Sequence, residues 1–234
     1  MRYTNWEKIG HGAQGTVYRV NDTVLKMQRA IKVINPAILN NQDLRQPAID
    51  QLIKEIRISN ELHHPNICPI YDYYEGERGV GAVMGLIKGG ELRTWMNAHR
   101  DLRIITFPER LTLFKKLAET LAVAHRLIVH RDLKPANIML RGNDIHHPIL
   151  MDFGVSSLVD HSDSDQSYGC TPKYMAPEQL FDRPAVDHRA DLFSLGLIAY
   201  ELFTDHTAEV SLSGHFSGRR WNPERYRQVK PPSL

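Results

Sequence analysis

Cysteine is scarce in this sequence. Only Cys68 and Cys170 occur among 234 residues, far apart and outside any C-x-x-C pair. That argues against a disulfide scaffold or a structural zinc site, and it fits a reducing compartment. Long apolar runs are missing as well. The most apolar helical stretch, LFSLGLIAYELF (192–203), is too short and too charged to span a bilayer and reads as a buried helix. The N-terminal MRYTNWEKIG lacks the apolar core of a signal peptide. A soluble, cytoplasmic chain without a membrane segment is the expectation. Charge of one sign is not in excess either: the net charge is +2 with no long basic run, so nothing points to nucleic acid. Arg219, Arg220, Arg225, Arg227 and Lys230 cluster near the end against Glu224. They read as a solvated tail, with an acidic partner as the other reading. Repeats and low-complexity tracts are absent.

What is present is ordinary globular material, 42% hydrophobic and 24% charged, enough to bury a core as one domain or two lobes. The first third reads as strands: NWEKIGHGAQGTVYRVND alternates around glycines, and LKMQRAIKVIN sets β-branched residues around Lys32. AIDQLIKEIRISNELHH carries apolar residues at helical spacing, with Pro65 just beyond its end. ICPIYDYYEGERGVGAVMGLI reads as two further strands around a glycine turn. After Gly89-Gly90 the character changes to long amphipathic helices, ERLTLFKKLAETLAVAHRL and ADLFSLGLIAYELF. The expected architecture is α+β: a small β-rich lobe with one main helix over 1–87, then a larger helical lobe over 88–234, hinged near 85–90.

The chemistry concentrates in a few stretches. IVHRDLKPANIML (128–140) interrupts an apolar run with His130, Arg131, Asp132, Lys134 and Asn137. A surface loop is one reading; a cleft loop acting on a phosphate is the other. Gly10, Gly12 and Gly15 form G-x-G-x-x-G before Val17, where missing Cβ atoms let backbone N–H groups approach phosphate oxygens. Because TVYRVND follows and is strand-like, a glycine-rich hairpin lid fits better than a helix-opening turn. Lys32, on a predicted strand, reads either as an outward-facing lysine or as a cation for phosphate oxygens, with Glu55 on the next helix as its natural partner in the second case. Asp132 is an acceptor for a hydroxyl proton. Asn137 offers a neutral oxygen and Asp152 an anionic one to a hard cation, and magnesium suits so small a protein set.

Together, G-x-G-x-x-G-x-V, A-I-K, H-R-D-L-K-x-x-N, D-F-G and A-P-E resemble the protein kinase signature set in order, from about Trp6 to about Thr204. Lys134, two residues after Asp132, resembles the serine/threonine version of the loop, in the style of the eukaryotic-like kinases of bacteria. The resemblance implies a two-lobed kinase fold, with ATP and Mg2+ in the cleft and protein substrates on the large lobe. By the same resemblance, Gly10–Val17 cover the phosphates and Lys32 holds them. Glu55 holds Lys32, Asn137 and Asp152 hold magnesium, and Lys134 neutralises charge on the γ-phosphate. Met84 guards the back of the adenine pocket, the backbone of Gly85 and Ile87 meets the adenine edge, and Val17, Ala30 and Met139 sandwich the ring. Glu91 matches a position that touches ribose or a basic substrate residue. His130 reads as structural, near Asp191. Arg131 matches an arginine that docks a phosphorylated activation segment, for which Ser162, Ser164 and Ser167 are the candidates. GCTPKYMAPEQ looks like a peptide-binding segment.

The pattern departs from the family in places. Gly85 stands where relatives often carry an acid, and Ser59 stands where an apolar residue would link the lobes, so a looser active arrangement is expected there. RGNDIHHPIL makes a wide hairpin tip. After DLFSLGLIAYELFT the chain looks too short for the usual further helices, so apolar surface on the last helix is expected to need a missing segment or a partner. Glu178 then borrows Arg219 or Arg220 or stays unpaired. An active serine/threonine protein kinase is the first reading. A catalytically weak kinase-like binding module is the second.

Overall fold

The computed structural model describes residues 1–12, 14–99, 105–153, 172–181 and 186–204. Alternating side chains broken by a glycine turn give β1 (Tyr3–Gly12) and β2 (Gly15–Asp22), and the β-branched run around Lys32 gives β3 (Met27–Ile34). β4 (Ile70–Gly76) and β5 (Gly79–Met84) complete an antiparallel sheet in the order β1-β2-β3-β5-β4. Lys32 stands opposite Val17 on one side and Ala82 on the other, in the middle of the sheet. Val20, Ile31, Val33 and Val83 pack with Tyr3, Trp6, Tyr18 and Tyr74 on one side of it. Burying such a β-branched and aromatic set holds the sheet flat enough to serve as a roof.

A short α1 (Pro36–Leu39) leads into α2 (Gln42–Glu61), which packs on β4 and β5. The apolar spacing puts the start of this helix near Ala48, but it begins at Gln42. The reason is local: the Asn41 side chain accepts hydrogen bonds from the amides of Asp43 and Leu44, capping the helix early. Pro47 is tolerated inside at the cost of one backbone bond.

Beyond Met84 the chain crosses into a second unit. β6 (Gly89–Glu91) pairs with β7 (Ile138–Arg141), which pairs with β8 (Pro148–Leu150), so RGNDIHHPIL does close a hairpin. Gly89 is obligatory here, since its φ is +142° and a Cβ would sit 1.9 Å from the Leu140 carbonyl oxygen. α3 (Leu92–Ala98), α4 (Phe107–Ala124), α5 (Pro177–Phe181) and α6 (Arg189–Thr204) supply the helical bulk. Thr106 and Glu109 form a capping box that starts α4. Leu113, Leu117 and Leu121 of α4 meet Ile198 and Leu202 of α6 and Leu133 of the loop between α4 and β7 in one core. Cys68 donates its backbone N–H to Leu150, and Leu150 donates to Asn66, which ties the two units behind the hinge.

The β7–β8 hairpin is the one expected at RGNDIHHPIL, whereas β6 and α3 carry no signal in the sequence. A strand of three residues and a helix of seven are too short to show a period. On α6, Leu195, Ile198 and Leu202 are buried while Leu192 is half exposed. The segment expected to leave α6 uncovered, 205–234, lies outside the described residues, as do Arg219 and Arg220. Among the described residues no helix is long and apolar enough to cross a membrane.

Candidate active site

The cleft between sheet and helical unit is lined first by apolar groups. Val17, Ala30, Met84, Ile87 and Met139 belong to one hydrophobic cluster, placed together because Ala30 pairs with Met84 across β3 and β5. At the hinge, Gly85 donates its N–H to Pro69 at 3.0 Å. Its carbonyl receives only the Cys68 thiol at 3.6 Å, a weak donor. Burial pushes that thiol up to about 12, so it stays protonated and behaves as an apolar filler. Among the described residues, the Ile87 N–H and C=O have no backbone partner. A flat apolar slot edged by free backbone donors and acceptors suits a heteroaromatic ring.

Over this slot hangs the β1–β2 hairpin, with Gly10 opposite Val17 and Gly12 opposite Gly15. The glycine motif is therefore a hairpin tip and not a helix start. At Gly15 a Cβ would lie 2.0 Å from the Val33 carbonyl oxygen, so only glycine lets β2 approach β3 so closely. Gln14, which the motif spacing leaves unspecified, accepts a hydrogen bond from Lys32 Nζ at 3.2 Å and ties the tip to the cleft.

The expected Lys32–Glu55 ion pair is not formed. Lys32 Nζ lies 2.9 Å from Asp152 Oδ1 instead. Glu55 points into a small apolar cavity behind Met84, lined also by Ile58, Leu62, Cys68 and Phe153, and accepts a hydrogen bond from Gln51. The cause is desolvation: burial raises the Glu55 carboxyl to about 8, against the opposing pull of Lys32. Asp152 feels the same burial, but the Lys32 ammonium outweighs it and holds the carboxyl below its ordinary value. Ser59 does not simply weaken the link between the units. Its hydroxyl accepts the Ile70 N–H at 2.9 Å, pinning α2 to the start of β4 where the strand register slips.

This geometry makes Glu55 a pH-dependent burden. A carboxyl whose folded pKa lies above its unfolded value stabilises the fold fully below the unfolded value of 4.5, and that contribution is lost as pH rises through about 8. The limit is about 5 kcal/mol at 1.36 kcal/mol per pH unit. Glu55→Gln is expected to melt higher than wild type at pH 8, by on the order of 5 °C. The gap should close toward pH 5 in a thermal-melt series. A wild type more stable than the variant at pH 8 would mean that Glu55 is ionised and paired with Lys32.

Under the cleft, the 128–140 stretch forms a braced loop. Asp191, fully buried on α6, accepts the backbone N–H groups of His130 at 2.7 Å and Arg131 at 2.8 Å, and the His125 Nε2–H at 2.8 Å. Burial alone would raise the Asp191 carboxyl, but His125 and these amides hold it low. His130 is buried, donates from Nε2 to the Met151 carbonyl and stacks near Phe153, a structural bridge between this loop and Asp152. Arg131 adopts φ +64°, which turns the chain so that the next side chain enters the cleft. There the Asp132 carboxylate accepts from Lys134 Nζ at 2.9 and 3.1 Å and from Asn137 Nδ2 at 2.9 Å. Asn137 also donates to the Asp132 carbonyl. Gln179, which sequence reasoning passes over although it follows the A-P-E motif, donates to the Arg131 carbonyl at 2.7 Å.

Both Asn137 Nδ2 hydrogens are committed, which leaves Oδ1 to face a ligand. With Asp152 it forms a set of one neutral and one anionic oxygen. Among the described residues no group of three or more His, Cys, Asp or Glu gathers. So sparse an oxygen set fits magnesium, which keeps waters and phosphates in its shell, and does not fit zinc.

A second cavity, about 350 Å³, lies between α2 and the start of this loop. Lys54, Arg126 and Arg131 converge on it, and none has an ion-pair partner among the described residues. Lys54 and Arg126 are additions to the sequence reading; each stands beside a residue that the reading singles out or quotes. Ser162, Ser164 and Ser167 lie outside the described residues.

The protein kinase domain family matches residues 3–213. The chain is 32% identical over 198 residues to serine/threonine-protein kinase ULK3 of Xenopus laevis, covering 83% of this chain and 40% of that one. It is 34% identical over 208 residues to serine/threonine-protein kinase atg1 of Dictyostelium discoideum, covering 86% and 30%. Serine/threonine-protein kinase pkn3 of Myxococcus xanthus is 30% identical over 212 residues, covering 84% and 36%. The chain thus spans well under half the length of these curated relatives. Among solved structures, the kinase domain of PknI from Mycobacterium tuberculosis is similar with a TM-score of 0.66 at 27% identity, covering 88% of this chain and 76% of that one.

Proposed function

The chain belongs to the protein kinase family, and we propose that it is an active serine/threonine protein kinase. It would transfer the γ-phosphate of ATP to serine and threonine hydroxyls of proteins. One observation carries this reading: an Asp132 carboxylate clamped by Lys134 and Asn137, in a cleft that also holds the Lys32–Asp152 pair.

The roles follow from charge and reach. Val17, Ala30 and Met139 bind the adenine faces, Met84 closes the back of the pocket, and the Gly85 carbonyl and Ile87 amide take the adenine edge. The Gly10–Gly15 tip covers the phosphates, and Lys32 holds their oxygens from its place between Gln14 and Asp152. Asn137 and Asp152 hold magnesium, which when bound neutralises charge at the transferring phosphoryl group. Asp132 orients the substrate hydroxyl and accepts its proton as the new O–P bond forms and ADP leaves. Lys134 offsets charge on the γ-phosphate and keeps Asp132 in position. The lysine two residues after Asp132 and the serine/threonine kinases among the relatives support hydroxyl acceptors of the aliphatic kind. A buried, unpaired Cys68 thiol suits a cytoplasmic setting.

A catalytically weak binding module is favoured by one feature, the Glu55 carboxyl that does not meet Lys32. The complete Asp132 loop favours the enzyme.

Regulation follows from the cavity that Lys54, Arg126 and Arg131 line. Three cations without a carboxylate are a receptor for a doubly charged phosphate. Autophosphorylation at Ser162, Ser164 or Ser167 is expected to dock the segment there. Mass spectrometry after incubation with ATP, magnesium and a mixture of acidic and basic generic proteins tests both points. Phosphate is expected on serine or threonine of the substrate and between residues 156 and 167 of the kinase. Phosphotyrosine alone would overturn the specificity, and an unmodified segment in an active enzyme would overturn the regulation.

A further inference from the structure

Outside the cleft, the densest charge cluster of the helical unit joins three elements. Glu201 of α6, 4% exposed at its side chain, accepts Arg93 Nη2 of α3 at 2.8 Å and the Tyr174 hydroxyl at 2.7 Å. Its other oxygen is ion-paired with Lys173. Arg93 also donates to the Tyr174 hydroxyl. Burial would raise the Glu201 carboxyl, but Lys173, Tyr174 and Arg93 together hold it below its ordinary value. Both carboxylate oxygens are engaged, Oε2 by Arg93 and Tyr174 and Oε1 by the Lys173 ion pair. Both cations remain partly open: each side chain is 29% exposed. Arg93 Nε and Nη1 have no hydrogen-bond partner among the described residues, and Lys173 pairs with Glu201 and lies over the Tyr174 ring.

The place of this cluster gives it meaning. Lys173 and Tyr174 end the 3-10 turn Pro172–Tyr174, six and five residues before Gln179, whose amide holds the Arg131 carbonyl next to Asp132. α3 packs against the Pro135–Asn137 turn that follows Asp132. Two cations and one carboxylate already paired with them therefore flank the catalytic loop with a net positive charge. A substrate arginine arriving here would find Glu201 occupied and would face Arg93 and Lys173. A carboxylate or phosphate would find unused guanidinium and ammonium hydrogens.

We infer that Arg93 and Lys173 form a substrate subsite that selects peptides with an acidic or phosphorylated side chain near the acceptor residue. The inference rests on the protein kinase reading above. Glu91, exposed at the start of α3, is a cue of opposite sign, and an arginine preference would be its signature.

Binding is measured first, so that the result does not depend on turnover. Fluorescent peptides with alanine in place of the acceptor serine, flanked by aspartates or by arginines, are titrated by anisotropy. The aspartate peptide is expected to bind about tenfold tighter, the effect of two partly exposed charge pairs. Removing both cations alone would strand a buried carboxylate, so the cluster is replaced as a unit in R93M/K173M/E201Q. That variant is expected to lose the preference, and K173M, which leaves the Arg93 and Tyr174 bonds to Glu201 in place, to lose about a third to a half of it in log terms. With serine peptides, the same selectivity should appear in KM and leave kcat unchanged. Equal binding, a preference for arginine, or an undiminished preference in both variants would overturn the inference. Acidic selectivity in binding without any transfer would uphold it and count against the activity.

Discussion

Lys32→Met is expected to lower phosphoryl transfer at least about a hundredfold, on the order of 3 kcal/mol of lost transition-state stabilisation. The fold should survive, because Lys32 contributes a charge to the cleft and its strand partners are backbone groups of Val17 and Ala82. The side chain is 15% exposed and touches Asp152 and Gln14, so methionine removes the ammonium without opening the core. Steady-state kinetics should show the loss with a cooperative melt retained. Lys26 cannot stand in, since it is exposed in the β2–β3 turn at the end of the hairpin away from the glycine tip. Near-wild-type transfer by the variant would remove Lys32 from the site.

Asp132→Asn should cost more, roughly a thousandfold in kcat, because it removes the proton acceptor and the anionic partner of Lys134. Nucleotide affinity should stay within about twofold, since no group assigned to the adenine or to magnesium is changed. The amide is the same size as the carboxylate, and its oxygen can still accept from Asn137. A fall in nucleotide affinity with kcat preserved would assign Asp132 to binding and not to the chemical step.

How much of this is legible in the sequence depends on chain separation. Asp132, Lys134 and Asn137 lie within one short loop, and their spacing alone puts the side chains within reach of one another. The strands β1 to β5 are legible because each runs over six or more residues and most are bounded by glycine or polar turns. The partner of Lys32 is not legible. Choosing between Glu55 and Asp152 depends on which carboxyl is buried among apolar groups, a property of the packed fold. The same holds for Glu201, which reads as one charge in an apolar helix until Arg93 and Lys173 arrive from distant segments. The early start of α2 is a different case, because Asn41 is a strong cap that apolar spacing alone overlooks.

Transfer of label from γ-labelled ATP to an acidic and a basic generic protein, followed in parallel for wild type and Asp132→Asn, with magnesium and after chelation, bears on the central claim most directly. Label on serine or threonine is expected with wild type and magnesium, and only background in the variant or after chelation. Equal transfer by Asp132→Asn, or transfer undiminished by chelation, would contradict a magnesium-dependent kinase whose chemistry is carried by the Asp132 loop.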